Sequence, residues 1–304
     1  MRAHELQETA LRYFLEVARS GSLTLASERL HVAASALSRQ IAGLEQALGT
    51  PLFERHSRGM VLNAAGEILA GHARQTLLDA ERAIEDIRAL QGLRSGRVRL
   101  AATEAFANDF LPRAIIGFRR EHTGILFELN AASHAAVSEA VRNGEADIGL
   151  TFSRAPEPGI QVEYQQPSPV LVLMPPGHPL AAAESVTLQQ MQACPLALPW
   201  AQTTLRALID LACSRRRVLL EPVLTTNNMV TLHNFVLHGG GLAVSGEVSV
   251  RHFVAAGLMA ARPLADPGLE QREIEVQTLA GRTLPAAVRS FVEHLTRQLS
   301  GVEI

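Results

Sequence analysis

The sequence predicts an all-α N-terminal domain that a long helix joins to an α/β domain. A length of 304 residues favours two or three domains. Apolar residues recur at helical spacing through the N-terminal segment, and residues 64–90 hold no proline and carry a narrow apolar seam. From residue 97 onward, short apolar runs alternate with helical segments, which indicates a mostly parallel sheet covered by helices.

The composition is that of an ordinary globular protein. Hydrophobic residues make up 47% and charged residues 19% of the chain, a balance that excludes a disordered protein. Cys194 and Cys213 form no CxxC pair, which argues against a disulfide framework and favours a reducing compartment. The polar N-terminus lacks the pattern of a signal peptide and no run is long enough to span a membrane. We therefore expect a cytoplasmic protein without membrane association.

The first fifty residues predict three short helices. The first covers residues 8–19, and Ser22 suits the N-cap of the second, over residues 23–30. The third helix covers residues 34–48, and Gly49 stands where a left-handed cap is needed to end it. Two short helices joined by a tight turn, with a supporting helix before them, form a helix-turn-helix.

A helix-turn-helix places the start of its second helix in the major groove of DNA. The net charge is −2, so any DNA contact must depend on where the arginines stand. Two short segments, 51–55 and 58–62, around a polar turn that contains glycine predict a strand hairpin, or wing, beside the DNA backbone. Small residues allow close approach, Ser and Arg bind phosphates, and Arg and Gln also recognise base edges. The candidate DNA-contacting residues are Thr24, Ala34, Ser35, Ser38, Arg39, Gln40, Arg55 and Arg58.

The long helix carries apolar residues at alternating spacings of four and three, with charged residues on the opposite face. This narrow seam favours a second helix as its partner, either from another copy of the chain or from the same chain. The seam residues are Ala73, Leu77, Ala80, Ile84 and Ile87.

The remaining two thirds of the chain predict two α/β units. In the first unit, strands at 98–102, 125–130 and 146–151 alternate with helices at 111–120 and 135–142. The second unit and the C-terminal return are predicted as strand 170–174, helix 188–192, strand 196–198, helix 204–213, helix 228–237, strand 242–244, strand 273–278 and helix 286–299.

These motifs together resemble the LysR-type transcriptional regulators. The DNA-binding domain of that family resembles residues 11–67 throughout, including Gly21-Ser22, Ser38-Arg39-Gln40-Ile41 and Leu52-Phe53-Glu54-Arg55. Two later segments, DFLPRAIIGFRREHTGILFELN and VRNGEADIGL, resemble the first half of its effector-binding domain, which is similar to the two-lobed periplasmic solute-binding proteins. The family often has Gln at Ala34 and Thr at Asn63, and it usually has Leu-Pro where this chain has Ser245-Gly246.

The resemblance implies a chain that binds double-stranded DNA, responds to a small-molecule effector and pairs through its linker helix as a homodimer or homotetramer. The implied domains are a winged helix-turn-helix over 1–62, a linker and dimerisation helix over 63–92, and an effector-binding domain over 93–304. Within the last, the first lobe covers about 93–164 and 266–304, and the second lobe covers about 165–265.

Ligands of such α/β lobes bind beyond the carboxyl ends of the strands. Hydroxyl residues stand at those ends, and two of the pairs begin helices, whose N-termini favour anions. Small organic acids therefore suit the site, although Glu104 would repel a purely anionic ligand or pair with an amine. Each hydroxyl could equally serve only as a helix cap. The candidate effector-binding residues are Thr103, Glu104, Ser133, His134, Thr151, Phe152, Thr203 and Thr204.

Other chemistry finds no support in the sequence. Residues 239–241 are glycines, but no P-loop motif and no lysine accompany them. Ser245 lacks a GxSxG motif, and His233 and His238 are not spaced as a helical metal pair. We therefore predict an effector-responsive, sequence-specific transcriptional regulator without cofactor, metal or enzymatic activity. The alternative is a solute-binding or enzymatic α/β protein with an incidental helical N-terminal domain.

Overall fold

The computed structural model describes residues 8–56, 59–89, 95–153, 155–269 and 272–301. The chain divides into two compact units, Met1–Asp86 and Ile87–Ile304. None of the described helices has both the length and the hydropathy needed to cross a membrane.

The first unit is a helical bundle with a strand hairpin. Its elements are α1 (Glu8–Ser20), α2 (Leu23–Leu30), α3 (Ala34–Leu48), β1 (Phe53–His56), β2 (Gly59–Leu62) and most of α4 (Ala64–Ala89). The Ser22 side chain accepts a hydrogen bond from the backbone N–H of Leu25, and Gly49 ends α3 in the left-handed conformation. Both caps were predicted, and the bounds of α2 and α3 are the predicted ones.

The hairpin of β1 and β2 packs tightly on the turn between α1 and α2. The Met60 N–H donates to the Gly21 carbonyl over 2.8 Å. Gly59 has a φ of +136°, and a Cβ there would lie 2.5 Å from the Gly21 oxygen. Phe53 lies in the core beneath the hairpin, and its ring centroid is 5.3 Å from that of Phe14.

The long helix α4 divides the predicted seam between two environments. Its N-terminus is capped by Asn63, whose side-chain oxygen accepts from the Gly66 N–H over 2.9 Å. Ala73, which the spacing assigned to the seam, instead packs in the core of the first unit, because the first turns of α4 close that core. Leu77 is half-buried and Ala80 is exposed. Ile84 and Ile87 are 52% and 67% exposed, so the part of the predicted seam that is free for a partner lies toward the C-terminal end of α4.

The second unit holds two five-stranded sheets, and the first sheet defines its first lobe. The elements are β3 (Gly96–Ala102), α5 (Glu104–Ala107), α6 (Phe110–Arg119), β4 (Ile125–Ala131), α7 (His134–Arg142), β5 (Ile148–Ser153) and β6 (Ile160–Pro167), with β12 (Glu273–Leu279) and α12 (Ala286–Leu299) from the C-terminal end. The sheet order is β4-β3-β5-β12-β6. β3 is parallel to β4 and β5, as predicted, whereas β12 is antiparallel to β5 and β6.

The second sheet defines the second lobe. Its elements are β7 (Val170–Met174), α8 (Leu188–Gln192), β8 (Leu196–Pro199), α9 (Thr204–Arg216), β9 (Leu224–Thr226), α10 (Met229–Leu237), β10 (Leu242–Gly246), α11 (Arg251–Ala255) and β11 (Ala260–Pro263), in the sheet order β11-β7-β10-β8-β9. The sequence analysis missed α5, β6, β9, α11 and β11. Because β6 belongs to the first sheet, the first lobe continues to Pro167. The sequence had predicted that the chain passes from the first lobe to the second at about residue 164.

A buried ion-pair cluster joins three segments of the first lobe. The Asp147 carboxylate accepts from the guanidinium groups of Arg99 and Arg282, each over 2.8 Å, and from the backbone N–H of Arg99. Burial alone would raise the pKa of Asp147, but the hydrogen bonds and charge of Arg99, with the charge of Arg282, outweigh it and lower the pKa. Arg282 is only 2% exposed and depends on this carboxylate for its counter-charge.

We predict that Asp147→Asn lowers the free energy of unfolding by about 3–5 kcal/mol, because it leaves the buried Arg282 charge unpaired. Since the folded-state pKa is lowered, the carboxylate's contribution is complete above about pH 3.9 and is lost as the pH falls through the lowered value. Urea denaturation at neutral and acidic pH measures both effects. The control is Glu128→Gln, which breaks the exposed pair with Arg97 and should cost at most about 1 kcal/mol. Equal losses in the two variants would contradict the prediction.

Candidate functional site

The start of α3 presents one exposed polar face. Leu37, Ile41 and Leu44 are buried in the bundle core. The predicted DNA-contacting residues of α3 are all exposed, and so is Thr24 near the start of α2. Those residues of α3 are Ala34, Ser35, Ser38, Arg39 and Gln40. The N-cap residue of α3, Ala33, makes no side-chain hydrogen bond to the helix end, so the first N–H groups of the helix keep their capacity to bind an anion.

The arginines of the first unit have different environments. Arg19 and Arg29 both pair with Glu16, so their charge serves the contact between α1 and α2. Arg39 donates through Nε to the Ser35 carbonyl over 3.3 Å, and no carboxylate of the described residues lies within ion-pair distance of it. Its charge is therefore available to solvent or a ligand. Arg55 lies in β1, while Arg58 lies outside the described residues.

A cavity of about 490 Å³ lies between the two lobes of the second unit. It opens at the carboxyl ends of β3, β4, β5 and β8 and at the first residues of α7 and α9. Seven of the eight predicted effector-binding residues line it: Thr103, Glu104, Ser133, His134, Phe152, Thr203 and Thr204. The sequence analysis missed other lining residues, of which Trp200, Gly246, Ser249 and Arg272 bear on the chemistry.

Two of the predicted hydroxyls serve as helix caps. Ser133 accepts from the Ala136 N–H at the start of α7. Thr203 accepts from the Arg206 N–H over 3.1 Å at the start of α9 and donates to the Trp200 carbonyl. These hydroxyls lie in the cavity wall, and the Thr203 hydroxyl both donates and accepts within the backbone, whereas the Ser133 hydroxyl is shown only as an acceptor.

His134 and Thr151 form a pair behind the cavity wall. The Thr151 side chain is fully buried, and its hydroxyl lies 3.0 Å from Nδ1 of His134. The prediction that Thr151 lines the cavity is therefore wrong. Nε2 of His134 lies 3.1 Å from a Glu157 carboxylate oxygen. Both ring nitrogens of His134 are therefore engaged by the protein itself.

Glu104 connects the two lobes. Its carboxylate accepts from the backbone N–H of Met229 over 2.8 Å, at the first residue of α10. A negative charge at a helix N-terminus is stabilised by the helix dipole. This N–H is a neutral donor and adds no counter-charge, so the expectation that Glu104 would oppose a purely anionic ligand stays a prediction.

His233 and Ser245 do not form a catalytic site. Nε2 of His233 lies 3.4 Å from the Ser245 hydroxyl, and both residues are buried in the core of the second lobe. Burial, followed by the charge of His252, lowers the pKa of His233 to about 4. His233 is therefore a neutral core residue at neutral pH, as expected. Within the described ranges, no cluster of His, Cys, Asp or Glu is arranged to hold a metal ion.

Comparisons with known proteins agree with both parts of this architecture. The family "Bacterial regulatory helix-turn-helix protein, lysR family" matches residues 9–67, and the family "LysR substrate binding domain" matches residues 91–300. The RuBisCO operon transcriptional regulator of Acidithiobacillus ferrooxidans is 26% identical over 94% of this chain and 92% of its own length.

Solved structures show the same fold. Full-length OxyR from Pseudomonas aeruginosa superposes with a TM-score of 0.68 at 23% identity, covering 95% of this chain and 94% of that one. The effector-binding domain of QuiR, solved in complex with shikimate, has a TM-score of 0.55 at 17% identity, covering 69% of this chain and all of that domain.

Fold and matched domains thus define a ligand-responsive DNA-binding regulator rather than an enzyme. The chain belongs to the LysR family of bacterial transcriptional regulators. The alternative of a solute-binding or enzymatic protein with an incidental helical appendage is not favoured.

Proposed function

We propose that this regulator binds its operator through the exposed face of α3 and that a small organic acid bound between the lobes modulates its activity. The observation that carries the proposal is that one chain combines an exposed polar face on α3 with a cavity whose wall includes two helix N-termini. Regulation of transcription places its action in the cytoplasm, where bacterial DNA is found.

The proposed DNA contacts divide by chemistry. Ala34 and Ser35 allow the helix to approach the groove, Ser38 and Arg39 bind phosphates, and Arg39 and Gln40 recognise base edges. Thr24 contacts the backbone from the start of α2. We assign phosphate contacts to Arg55 and Arg58 from their place in the predicted wing.

The proposed oligomer forms through α4. Ile84 and Ile87 expose apolar surface on one side of the helix, while Arg82 on another side is held by Asp79 and Asp86. An exposed pair of isoleucines one turn apart is best covered by a second helix. We therefore propose a homodimer or homotetramer built on α4.

The proposed effector carries a carboxylate. The first N–H groups of α7 and α9 border the cavity and favour negative charge. Thr103 and Thr204 contribute hydroxyls that are not used as helix caps in the described structure. The effector-binding domain of QuiR, which has the same fold, was solved in complex with shikimate, and this supports a small organic acid as the effector class.

We predict that Arg39→Ala weakens operator binding by about 1–3 kcal/mol without loss of helicity, because one phosphate or base contact disappears. Gel-shift titration and circular dichroism measure the two quantities. Arg19→Ala is the control, since Arg19 pairs with Glu16 on α1. Unchanged affinity of Arg39→Ala on a confirmed operator would remove Arg39 from the interface.

We predict that the double variant Ile84→Glu with Ile87→Glu dissociates the oligomer, because two charges would be buried unpaired at the helix contact. Analytical ultracentrifugation should show a smaller species that no longer binds two-half-site DNA. Replacement of both residues by leucine keeps the surface apolar and should preserve the oligomer. If the glutamate variant keeps the parent mass, the contact lies elsewhere.

We predict that a carboxylate metabolite found by thermal-shift screening raises the Tm of the wild type, because it binds only the native state. The double variant Thr103→Val with Thr204→Val should reduce that shift, since it deletes two hydroxyls at near-constant volume. Thr225→Val alters an exposed strand residue away from the cavity and serves as the control. A shift that survives the double variant would place the effector at another site.

A further inference from the structure

Three buried polar atoms, each on a residue that lines the same cavity, have no partner in the described part of the chain. They are the Thr103 hydroxyl, the Ser249 hydroxyl and Nε of Arg272. Folded proteins satisfy nearly all of their buried polar groups, so each such atom requires an explanation. Three of them around one cavity indicate that a polar group of a ligand is their partner.

Arg272 is the unusual member of this set. It stands directly before β12, is 2% exposed, and donates through Nη2 to the Ser168 hydroxyl over 3.2 Å. Its guanidinium carbon lies 3.9 Å from the ring centroid of Phe152, which stacks on Phe106. A cation–π contact and a hydroxyl do not neutralise a charge.

The counter-charge of Arg272 is missing among the described residues. No described carboxylate lies within ion-pair distance of it, whereas Arg282, which is also buried, has Asp147 at 2.8 Å. Burial lowers the pKa of Arg272 to about 10, which still leaves the guanidinium charged at neutral pH. An unpaired buried charge is costly, so this arrangement suits the arrival of an anion.

Gly246 leaves the space that the guanidinium occupies. A Cβ at this position would lie 2.6 Å from Nη2 of Arg272 and 3.2 Å from the Ser168 hydroxyl. Its φ of −90° and ψ of 156° are open to any residue, so the backbone does not require glycine. The absent side chain instead permits Arg272 to lie against the end of β10.

The other charged groups of the cavity wall have partners within the protein. Glu104 accepts from the Met229 N–H, and His134 is held between Thr151 and Glu157. Arg272 is therefore the cationic residue of this wall that is left for an anion, within the part of the chain described. The carboxylate of Glu104, which is held by a neutral N–H, remains on the same wall.

We infer that Arg272 is the anion receptor of the cavity and selects a small monocarboxylate with an apolar body. The carboxylate binds the guanidinium and accepts from the hydroxyls of Thr103 and Ser249. The apolar body lies among Ala105, Pro199 and Trp200 in the same wall. This inference rests on the proposed function, since it names the group that recognises the effector.

Trp200 provides a local reporter for the test. It is the chain's one tryptophan, lines the cavity and is 48% exposed. Full-length protein is titrated with cyclohexanecarboxylate and, at equal ionic strength, with the neutral cyclohexanecarboxamide, while Trp200 fluorescence is recorded. We expect the carboxylate to change the fluorescence at concentrations where the amide does not.

Arg272→Met should raise the Kd for cyclohexanecarboxylate by about tenfold or more, because a charge-assisted contact is lost. Its Tm without ligand should be equal to or higher than that of the wild type, because methionine fills the space without a buried charge. Gly246→Ala keeps the charge but displaces the guanidinium, and it should also weaken carboxylate binding.

Two results would overturn the inference. One is a wild type that does not distinguish the carboxylate from the amide. The other is an Arg272→Met variant that keeps the wild-type Kd, and a lower Tm of that variant would then give Arg272 a packing role. If Thr103→Val with Thr204→Val still weakens binding while Arg272→Met does not, the effector site stands and only the role of Arg272 fails. If operator binding by the wild type is absent, the proposed function itself fails.

Discussion

The second unit depends on the insertion of β12 between β5 and β6. Residues Glu273–Gln277 pair antiparallel with β5, and the same strand pairs along its other edge with β6. β6 has no other neighbour in the sheet, so β12 attaches it to the lobe. The chain must therefore leave the first lobe after Pro167 and return before Glu273, and the cavity lies between the two lobes that these crossings join. Arg272 is the residue directly before β12, so the segment that returns the chain to the first lobe fixes its position.

The polar groups of this region follow one physical rule, that buried charge and hydrogen-bonding capacity need partners. Asp147 and Arg282 satisfy each other inside the first lobe, and Ser133 and Thr203 satisfy helix ends. Of the six buried polar atoms without a partner in the described residues, three belong to residues that line the cavity. A protein that satisfied them internally would gain stability but would lose the groups with which to recognise an effector.

Local sequence signals predicted the local structure well. The bounds of α2 and α3 followed from Ser22 and Gly49, because caps act within a few residues of the chain. Elements that depend on distant partners were missed: β6 is an edge strand of alternating half-buried residues, and β9 and β11 are strands of three and four residues at the edges of the second sheet. Spacing alone could not show that Ala73 serves the core of its own domain.

The cavity was predictable only in part, for a related reason. The topology rule for parallel strands correctly led to Thr103, Ser133, His134 and Phe152, because β3, β4 and β5 end at one edge. No such rule leads to Arg272. This residue precedes an antiparallel strand and lies more than a hundred positions further along the chain than Phe152. The departure from the family pattern at Gly246 was visible in the sequence, but its meaning depends on the 2.6 Å approach to Arg272.

The same geometry constrains how an effector could alter activity. Thr103 and Arg272 border the cavity from the first lobe, and Trp200 and Ser249 border it from the second, so one bound molecule contacts both lobes. Glu104 and the Met229 N–H already join the lobes without ligand. A ligand shifts an equilibrium between lobe arrangements only by its difference in affinity for them. An anion that contacts both Arg272 and Ser249 would bind the lobe arrangement in which these two residues are close together. Its binding energy would favour that arrangement over more open ones.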